Sequence, residues 1–269
     1  MKQAANKTAI YLFCITEGEA FSAEACPERS EWAGRHPLRP VYSLVCEDLV
    51  AVVSLVPLEE FGEQALPSHL QDACWLEKAV RAHETVIEKV MESRTVLPMK
   101  FCTVFRTKAG VRNLLESRQE EFRHALARLH DKEEWEVKMY SQPAPSAQAA
   151  ETGASLSGKD FLLKRKAKDL QAWEAINEAH RQAQRSFEKL SGYAEEIQPK
   201  PVPSQDSTRE PKLILDAVCL LAKPRFKAFC QQLEGLRNEL SGKGFYFQLS
   251  GPWPPYHFCT RAQANVGLS

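Results

Sequence analysis

Three short apolar runs in the amino-terminal part of the chain are typical of β-strands. Residues 9–16 (AIYLFCIT), 41–46 (VYSLVC) and 49–56 (LVAVVSLV) are rich in β-branched, aromatic and other apolar side chains. Only Glu47 and Asp48 separate the second run from the third. This spacing predicts an antiparallel hairpin, although its turn lacks the glycine that such turns favour.

Two longer segments have the spacing of amphipathic helices. In residues 68–94 and again in residues 109–130, apolar or small side chains recur at steps of three and four with charged residues between them. Ser68 follows a proline and is positioned to cap the first helix. Both segments are expected to pack one face on the neighbouring strands.

Extended segments are predicted between and after these helices. Residues 95–105 (TVLPMKFCTVF) should be extended because Pro98 cannot sit inside a helix. Residues 135–139 alternate apolar and charged side chains, as a half-buried strand does. The pattern therefore predicts an N-terminal α+β domain over residues 1–140, an α/β sandwich of interleaved strands and helices.

The composition changes at residues 141–157 (SQPAPSAQAAETGASLS), which contain few large apolar side chains and predict a linker. The elements expected after it are a long helix with one narrow buried stripe, a Pro-rich link, a strand, a helix and a strand, at residues 158–191, 198–211, 213–222, 224–241 and 245–249. They predict a C-terminal α+β domain over residues 158–258, which could also recruit the strand at 134–140, and a tail at 259–269.

Charge and hydropathy exclude two classes of partner. The 269 residues contain 35 Lys and Arg against 35 Asp and Glu, so no chain-wide positive field exists to hold a phosphate backbone or an anionic membrane. No apolar run reaches the ~18 residues that a bilayer span requires. We therefore expect neither nucleic acid nor a membrane as a partner. The first residues lack the pattern of a signal peptide, which predicts a cytoplasmic protein.

The sequence contains no complete motif for a metal site or a catalytic centre. The chain has eight cysteines, but no two are spaced as in CxxC and none has a histidine at zinc-ligand spacing, so buried free thiols are expected. His83-Glu84 lacks the second histidine of HExxH, and His83 is expected to pack or hydrogen-bond on the apolar face of its helix. We expect no catalytic residue, no cofactor and no metal.

One local motif keeps an alternative function open. Residues 153–159 (GASLSGK) fit the first seven positions of a phosphate-binding P-loop. Asp160 then replaces the required Ser or Thr, and the preceding residues form a linker and not a buried strand. The alternative is an enzyme that depends on a nucleotide or another small ligand.

Two unusual segments combine aromatic residues with proline. Residues 94–105 place Pro98 within a strand, and residues 251–258 (GPWPPYHF) contain three aromatics and three prolines. Such segments suit a rigid docking surface or a strand that closes the core. The candidate partner-binding or fold-defining residues are Pro98, Phe101, Phe105, Trp253, Pro254, Pro255, Tyr256 and Phe258.

Five blocks of the sequence also carry a family resemblance. They are VVSLVPLEEF, WLEKAVRAHETVIEKVMESRTVLPMKFCTVFRT, LHDKEEWEVKMY, SGKDFLLKRK and LSGPWPPYHF. In order and approximate spacing, from about residue 41 to residue 258, the chain resembles the gas vesicle protein F/L family (GvpF/GvpL).

The resemblance implies a non-enzymatic accessory or minor structural protein of gas vesicle formation, located in the cytoplasm and at the gas vesicle. It implies binding to the small hydrophobic shell subunit (GvpA-like), help in nucleation or assembly, and other gas vesicle accessory proteins as further candidate partners. It also implies two α+β domains, the C-terminal one a modified ferredoxin-like fold with a long helix. A ferredoxin-like interaction scaffold unrelated to gas vesicles is a further alternative.

The chain departs from the family pattern at two places. Cys102 stands where the family commonly has glycine, which puts in doubt any backbone geometry there that needs a bare Cα. Residues 17–40 form a longer connection than the family leads one to expect, and we interpret them as a disordered insertion.

Overall fold

The computed structural model of the protein describes residues 8–20, 41–142, 158–202 and 211–259. Contacts between Cα atoms divide the chain into two units, Met1–Asp131 with Trp253–Ser269, and Lys132–Pro252. Both units combine helices with antiparallel strand pairs, which confirms the predicted α+β class. The insertion predicted within residues 17–40 lies outside the described residues from position 21 onwards, as does most of the linker at 141–157.

Within its described residues, the first unit has five strands and five helices of four residues or more. In chain order these are β1 (Thr8–Glu17), β2 (Tyr42–Cys46), β3 (Leu49–Pro57), α1 (Leu58–Phe61), α2 (Leu66–His69), α3 (Ala73–Met91), β4 (Val96–Pro98), β5 (Val104–Phe105), α4 (Lys108–Ser117) and α5 (Gln119–Leu129). The sheet has the order β2-β3-β1-β4, and β5 also pairs with β1. All of these pairs are antiparallel.

The predicted hairpin of the first unit is confirmed. Strands β2 and β3 pair with Val45 opposite Val50. In the turn, Glu47 has φ of 54°, a left-handed conformation that glycine adopts at lower cost. Strand β1 lies between β3 and β4 in the sheet, and all of its residues 9–16 are buried. A strand that is flanked by two others and buried on both faces has a continuous apolar sequence, as β1 does.

Helix α3 begins later than the sequence pattern indicated. The predicted cap, Ser68, lies in the short helix α2 instead. The carboxylate of Asp72 caps α3 by accepting hydrogen bonds from the backbone N–H groups of Cys74, at 2.9 Å, and Trp75, at 3.2 Å. Asp72 satisfies two amides that have no partner within the helix, so the helix starts after it.

The helix predicted over residues 109–130 is two helices. Arg118 separates α4 from α5 with φ of −124° and ψ of 23°, values that no α-helix contains. Its guanidinium pairs with Glu121 at 2.6 Å and lies over the ring of Phe122 at 5.3 Å. The apolar spacing continues across the break, so periodicity alone could not reveal it.

The second unit has a ferredoxin-like order of elements. These are β6 (Lys132–Ser141), α6 (Gly158–Ser191), β7 (Glu196–Pro199), β8 (Lys212–Ala222), α7 (Phe226–Leu240) and β9 (Phe245–Trp253). The sheet has the order β7-β8-β6-β9. A βαββαβ chain with this strand order is the ferredoxin-like arrangement. Side chains of α6, α7 and one face of the sheet form the core, with Val137, Phe229 and Leu233 almost fully buried.

The strand at residues 134–140, for which the sequence analysis left the domain open, lies in β6 and pairs with β8. Two other details of the second unit differ from the sequence analysis. Strand β7 (Glu196–Pro199) was not predicted, and its last two residues lie in the segment interpreted as a Pro-rich link at 198–211. The long helix at 158–191 is confirmed, but its apolar stripe is not buried along the first half, because Leu162, Leu170, Trp173 and Ile176 are between 52% and 64% exposed.

Residues 253–258 also differ from the predicted domain boundaries. The sequence analysis assigned them to the C-terminal domain, and in the structure they belong to the first unit. There they form the end of β9 and a short 3-10 helix, Tyr256–Phe258. The chain thus returns to the first unit after completing the second.

Candidate functional site

A buried histidine lies at the centre of the first unit. Ala79, His83, Ile87 and Val90 recur at steps of three and four along α3 and are its buried side chains. His83 is 1% exposed. Four aromatic rings surround its imidazole, with centroids within 6.4 Å: Tyr11, Phe13, Phe101 and Tyr256. The expectation that His83 packs or hydrogen-bonds on the apolar face of its helix is confirmed.

His83 is the middle member of a hydrogen-bonded chain. The backbone N–H of Cys102 donates to the hydroxyl oxygen of Tyr11 at 3.0 Å. The Tyr11 hydroxyl is 3.0 Å from Nδ1 of His83, and Nε2 of His83 is 3.0 Å from the hydroxyl of Tyr256. The Tyr256 hydroxyl donates to Oε1 of Glu84 at 3.0 Å. When His83 is neutral and carries its proton on Nε2, each group in this chain donates a hydrogen bond to the next, from Cys102 to Glu84.

Burial keeps the tyrosines and the histidine of this chain neutral. It lowers the pKa of His83 to about 4, against the opposing effect of a backbone hydrogen bond at Met99. Burial also raises the pKa of Tyr11 and of Tyr256. The pKa of Glu84 is raised by burial too, and the hydrogen bond from Tyr256 counteracts the rise. Neutral members suit a chain that stabilises the fold, because an apolar surrounding disfavours the charged forms.

The backbone N–H of Cys102 is the first donor of the hydrogen-bonded chain, and Cys102 has an unusual backbone conformation. Its φ is 62°, in the left-handed region that favours glycine. This is the position at which the resembled family commonly has glycine, and here a cysteine adopts a conformation that a side chain tolerates poorly. Burial raises the pKa of the Cys102 thiol to about 12, which leaves the thiol protonated at neutral pH.

This conformation gives a prediction for Cys102. Replacing it with glycine should leave the free energy of unfolding within about 1 kcal/mol of wild type, because relief of the left-handed strain offsets the lost contacts and the greater flexibility of the unfolded chain. Replacing it with valine should cost about 2 kcal/mol, because a β-branched side chain clashes at positive φ. Guanidinium unfolding of the three proteins measures both effects. Equal stability of the valine and wild-type chains would contradict the strained conformation.

The structure buries most of the eight candidate residues. Pro98 in β4 and Phe105 in β5 are buried and pair with β1, opposite Cys14 and Ile10. The other buried candidates are Pro254, Pro255 and Phe258. Phe101 and Tyr256 are half-buried beside His83, and Trp253 is 43% exposed. The sequence analysis selected these eight candidates, but it did not identify Tyr11, His83 and Glu84 as the residues that join their two segments.

The segment 254–258 is held in the first unit by further backbone contacts. The carbonyl oxygen of Phe258 accepts a hydrogen bond from the guanidinium of Arg128 at 3.1 Å. The thiol of Cys259 donates to the carbonyl oxygen of Pro255. With the Tyr256 hydroxyl bonded at both sides, these contacts fix the segment and leave the neighbouring Trp253 at the surface.

The first unit also has an open cavity of about 370 Å³. Its walls are mostly apolar and include one arginine and one glutamate. The lining residues are Thr8, Ala9, Leu58, Phe61, Gly62, Glu63, Val104, Arg106 and Thr107. Val104 and Arg106 flank the candidate residue Phe105. The cavity could accept an apolar side chain of a partner.

The second unit contains a cluster of charged side chains. Glu136 accepts hydrogen bonds from Lys200 at 2.6 Å and Lys138 at 2.8 Å, and Lys200 lies 3.7 Å from Asp216. Burial would raise the pKa of Glu136, but the two lysines outweigh it and lower the pKa to about 2. Two lysines against two carboxylates make this an ion-pair cluster.

The described parts of the chain give little support to the metal, cysteine and P-loop chemistry considered from the sequence. No group of three His, Cys, Asp or Glu side chains there could hold a metal ion. The seven cysteines in those parts form no disulfide bond, and Cys14, Cys219 and Cys259 are buried. Of the near-P-loop, residues 153–157 lie outside the described residues, and Gly158 and Lys159 begin α6. None of the described helices is long and apolar enough to cross a membrane.

The fold and the site together define a protein of two α+β units, the second ferredoxin-like, in which a buried polar chain joins two distant segments. Comparisons with known proteins then give the family. The family model described as gas vesicle synthesis protein GvpL/GvpF matches residues 9–260. The chain therefore belongs to the GvpL/GvpF family.

Similarity to individual relatives supports the family assignment. The chain is 33% identical over 251 residues to gas vesicle protein L of Streptomyces sp. (strain CB03234), covering 89% of this chain and 90% of the relative. Its fold is similar to the crystal structure of gas vesicle protein GvpF from Anabaena sp. PCC7120, with a TM-score of 0.60, 20% identity and coverage of 94% and 96% of the two chains. The GvpF structure from Microcystis aeruginosa gives a TM-score of 0.58 at 18% identity, over 94% of this chain and 99% of that one.

Family membership makes this a gas vesicle protein and removes the alternative of a scaffold unrelated to gas vesicles. The predicted resemblance is confirmed over nearly the whole chain.

Proposed function

We propose that this protein is a non-enzymatic accessory or minor structural protein of gas vesicle formation, acting in the cytoplasm and at the gas vesicle. It binds the hydrophobic shell subunit and assists nucleation or assembly of the shell, and other gas vesicle accessory proteins are further candidate partners. The observation that carries the proposal is the family match over residues 9–260.

The position of Trp253 supports binding to an apolar partner. Its indole is 43% exposed, whereas Pro254, Pro255 and Phe258 after it are buried. A large side chain next to a fixed segment loses little conformational entropy when a partner covers it, and Trp is the residue most enriched at the energetic centres of interfaces. The burial of apolar area would drive the association.

A binding experiment with the purified shell subunit tests this proposal. Replacing Trp253 with alanine should weaken capture of the shell subunit by roughly tenfold or more, the effect of removing a central aromatic anchor. Tyr246→Ala is the matched control, because Tyr246 is a 40% exposed aromatic side chain in the second unit. Tyr256→Phe keeps the ring but removes a hydroxyl of the buried chain, and so separates loss of fold from loss of contact.

The outcomes are distinct. Weaker capture by Trp253→Ala alone would support docking at Trp253. Unchanged capture by that variant would rule out docking there. If the intact chain fails to capture the shell subunit at all, the proposed partner is wrong.

A further inference from the structure

The first half of α6 presents an apolar stripe at the surface. The helix has 34 residues, which corresponds to about 51 Å, whereas α7 beside it has 15. Its second half packs into the core of the unit through Ala183, Phe187 and Leu190. In the first half the large apolar side chains are exposed by more than half: Leu162 by 64%, Leu163 by 57%, Leu170 by 55%, Trp173 by 63% and Ile176 by 52%.

The stripe follows a seven-residue repeat. Steps of four and three lead from Leu162 to residue 166, residue 169, Trp173 and Ile176. The same steps continue through the exposed His180 to Ala183, Phe187 and Leu190, and these last three side chains are packed in the second half of the helix. A helix with an apolar side chain at alternating steps of three and four is suited to pair with another helix. The exposed stripe thus continues a face that is already an interface within the unit.

Two charged residues of opposite sign interrupt the stripe. Lys166 and Asp169 occupy adjacent steps of the repeat, between Leu162 and Trp173. In an antiparallel pair of two such helices, centred between residues 167 and 168, Lys166 of each copy lies opposite Asp169 of the other. In the same register Leu162 of each copy lies opposite Trp173 of the other. One register therefore pairs the two charges and also brings Leu162 and Trp173 together, and polar residues in a helical seam are known to specify register.

From this pattern we propose that two copies of the protein associate through antiparallel pairing of the first halves of their α6 helices. Lys159 occupies the step of the repeat before Leu162, which places it opposite Ile176 of the other copy. The remaining basic residues, Lys164, Arg165 and Lys168, lie beside or away from the seam. In a parallel pair, Lys166 would face Lys166 and Asp169 would face Asp169, so like charges disfavour that arrangement. The overlap is about 18 residues, or about 27 Å, which gives a small interface and a weak, concentration-dependent dimer. The inference does not depend on binding of the shell subunit.

Charge exchange in the intact protein tests the pairing. Sedimentation velocity over a range of concentrations should show a reversible dimer. Lys166→Asp and Asp169→Lys should each weaken dimerisation by roughly tenfold or more, because each places like charges together in the seam. The double variant Lys166→Asp with Asp169→Lys restores opposite charges and should recover most of the lost affinity. Lys164→Asp makes the same charge change outside the seam and should leave the dimer almost unchanged.

A second variant tests the apolar contacts. Trp173→Ala should also weaken the dimer by roughly tenfold, while circular dichroism reports whether α6 stays helical. A monomer at all concentrations, or a double variant no better than the single ones, would overturn the proposal.

Two further results would assign the stripe to another occupant and would likewise overturn the pairing. One is a monomer in which Trp173 is shielded from a fluorescence quencher, which would mean that the chain covers its own stripe. The other is a monomer that loses capture of the shell subunit on Trp173→Ala.

Discussion

Replacing His83 with alanine is expected to lower the free energy of unfolding of the first unit by about 3–5 kcal/mol at neutral pH. The imidazole is 1% exposed, and its removal leaves a cavity among four aromatic rings. It also removes the acceptor of the Tyr11 hydroxyl proton and one of the two partners of the Tyr256 hydroxyl. Tyr11 still accepts from Cys102 and Tyr256 still donates to Glu84, but a buried O–H proton without an acceptor retains its desolvation cost, so the loss at Tyr11 adds to the cavity term.

Guanidinium unfolding, combined with hydrogen exchange of β1 and α3 amides, measures this loss in the unit that contains His83. His124→Ala is the control, because His124 is an exposed histidine on α5 of the same unit, and its loss should change stability by less than about 0.5 kcal/mol. A loss of less than about 1 kcal/mol for His83→Ala would show that the hydrogen-bonded chain contributes little to the fold.

The elements of this chain were more predictable than the contacts between them. The continuous apolar run of β1 and the repeats of α3 reflect burial, so the pattern predicted both. The partners of His83 are 72 and 173 residues away in sequence, at Tyr11 and Tyr256. Nothing in a local pattern links positions so far apart, and the histidine could be placed on an apolar face without any indication of which hydroxyl it meets.

Errors in the predicted elements and boundaries have a similar origin. The break at Arg118 preserves the apolar spacing, so α4 and α5 resemble one helix. The return of Trp253 and the residues after it to the first unit depends on tertiary contacts, and the sequence around it shows only that the segment is rigid. In α6 the repeat predicted a helix correctly but could not tell whether its stripe, including Trp173, faces a core or the surface, because periodicity records an apolar face and not what covers it.

The second large effect expected of His83 is on the pH dependence of stability. The pKa of its imidazole is about 4 in the folded protein, because of burial, against 6.5 in a model peptide. Between these values the unfolded chain binds a proton that the folded chain does not, so stability increases with pH. The contribution is fully present above pH 6.5, is lost as the pH falls towards 4, and amounts to about 3 kcal/mol.

The neighbouring Glu84 acts in the opposite direction and must be separated from this effect. Its pKa is raised in the fold, so the folded chain takes up this proton more readily and gains stability as the pH falls. Guanidinium titrations of wild type, His83→Gln and Glu84→Gln across this pH range divide the two contributions. The His83→Gln chain cannot titrate at this position, so its stability should change much less between pH 6.5 and pH 4, whereas Glu84→Gln should lose stability more steeply than wild type. An equal slope in wild type and His83→Gln would mean that the histidine takes up its proton in the folded state as readily as in the unfolded one, and that burial among the four rings does not control its ionisation.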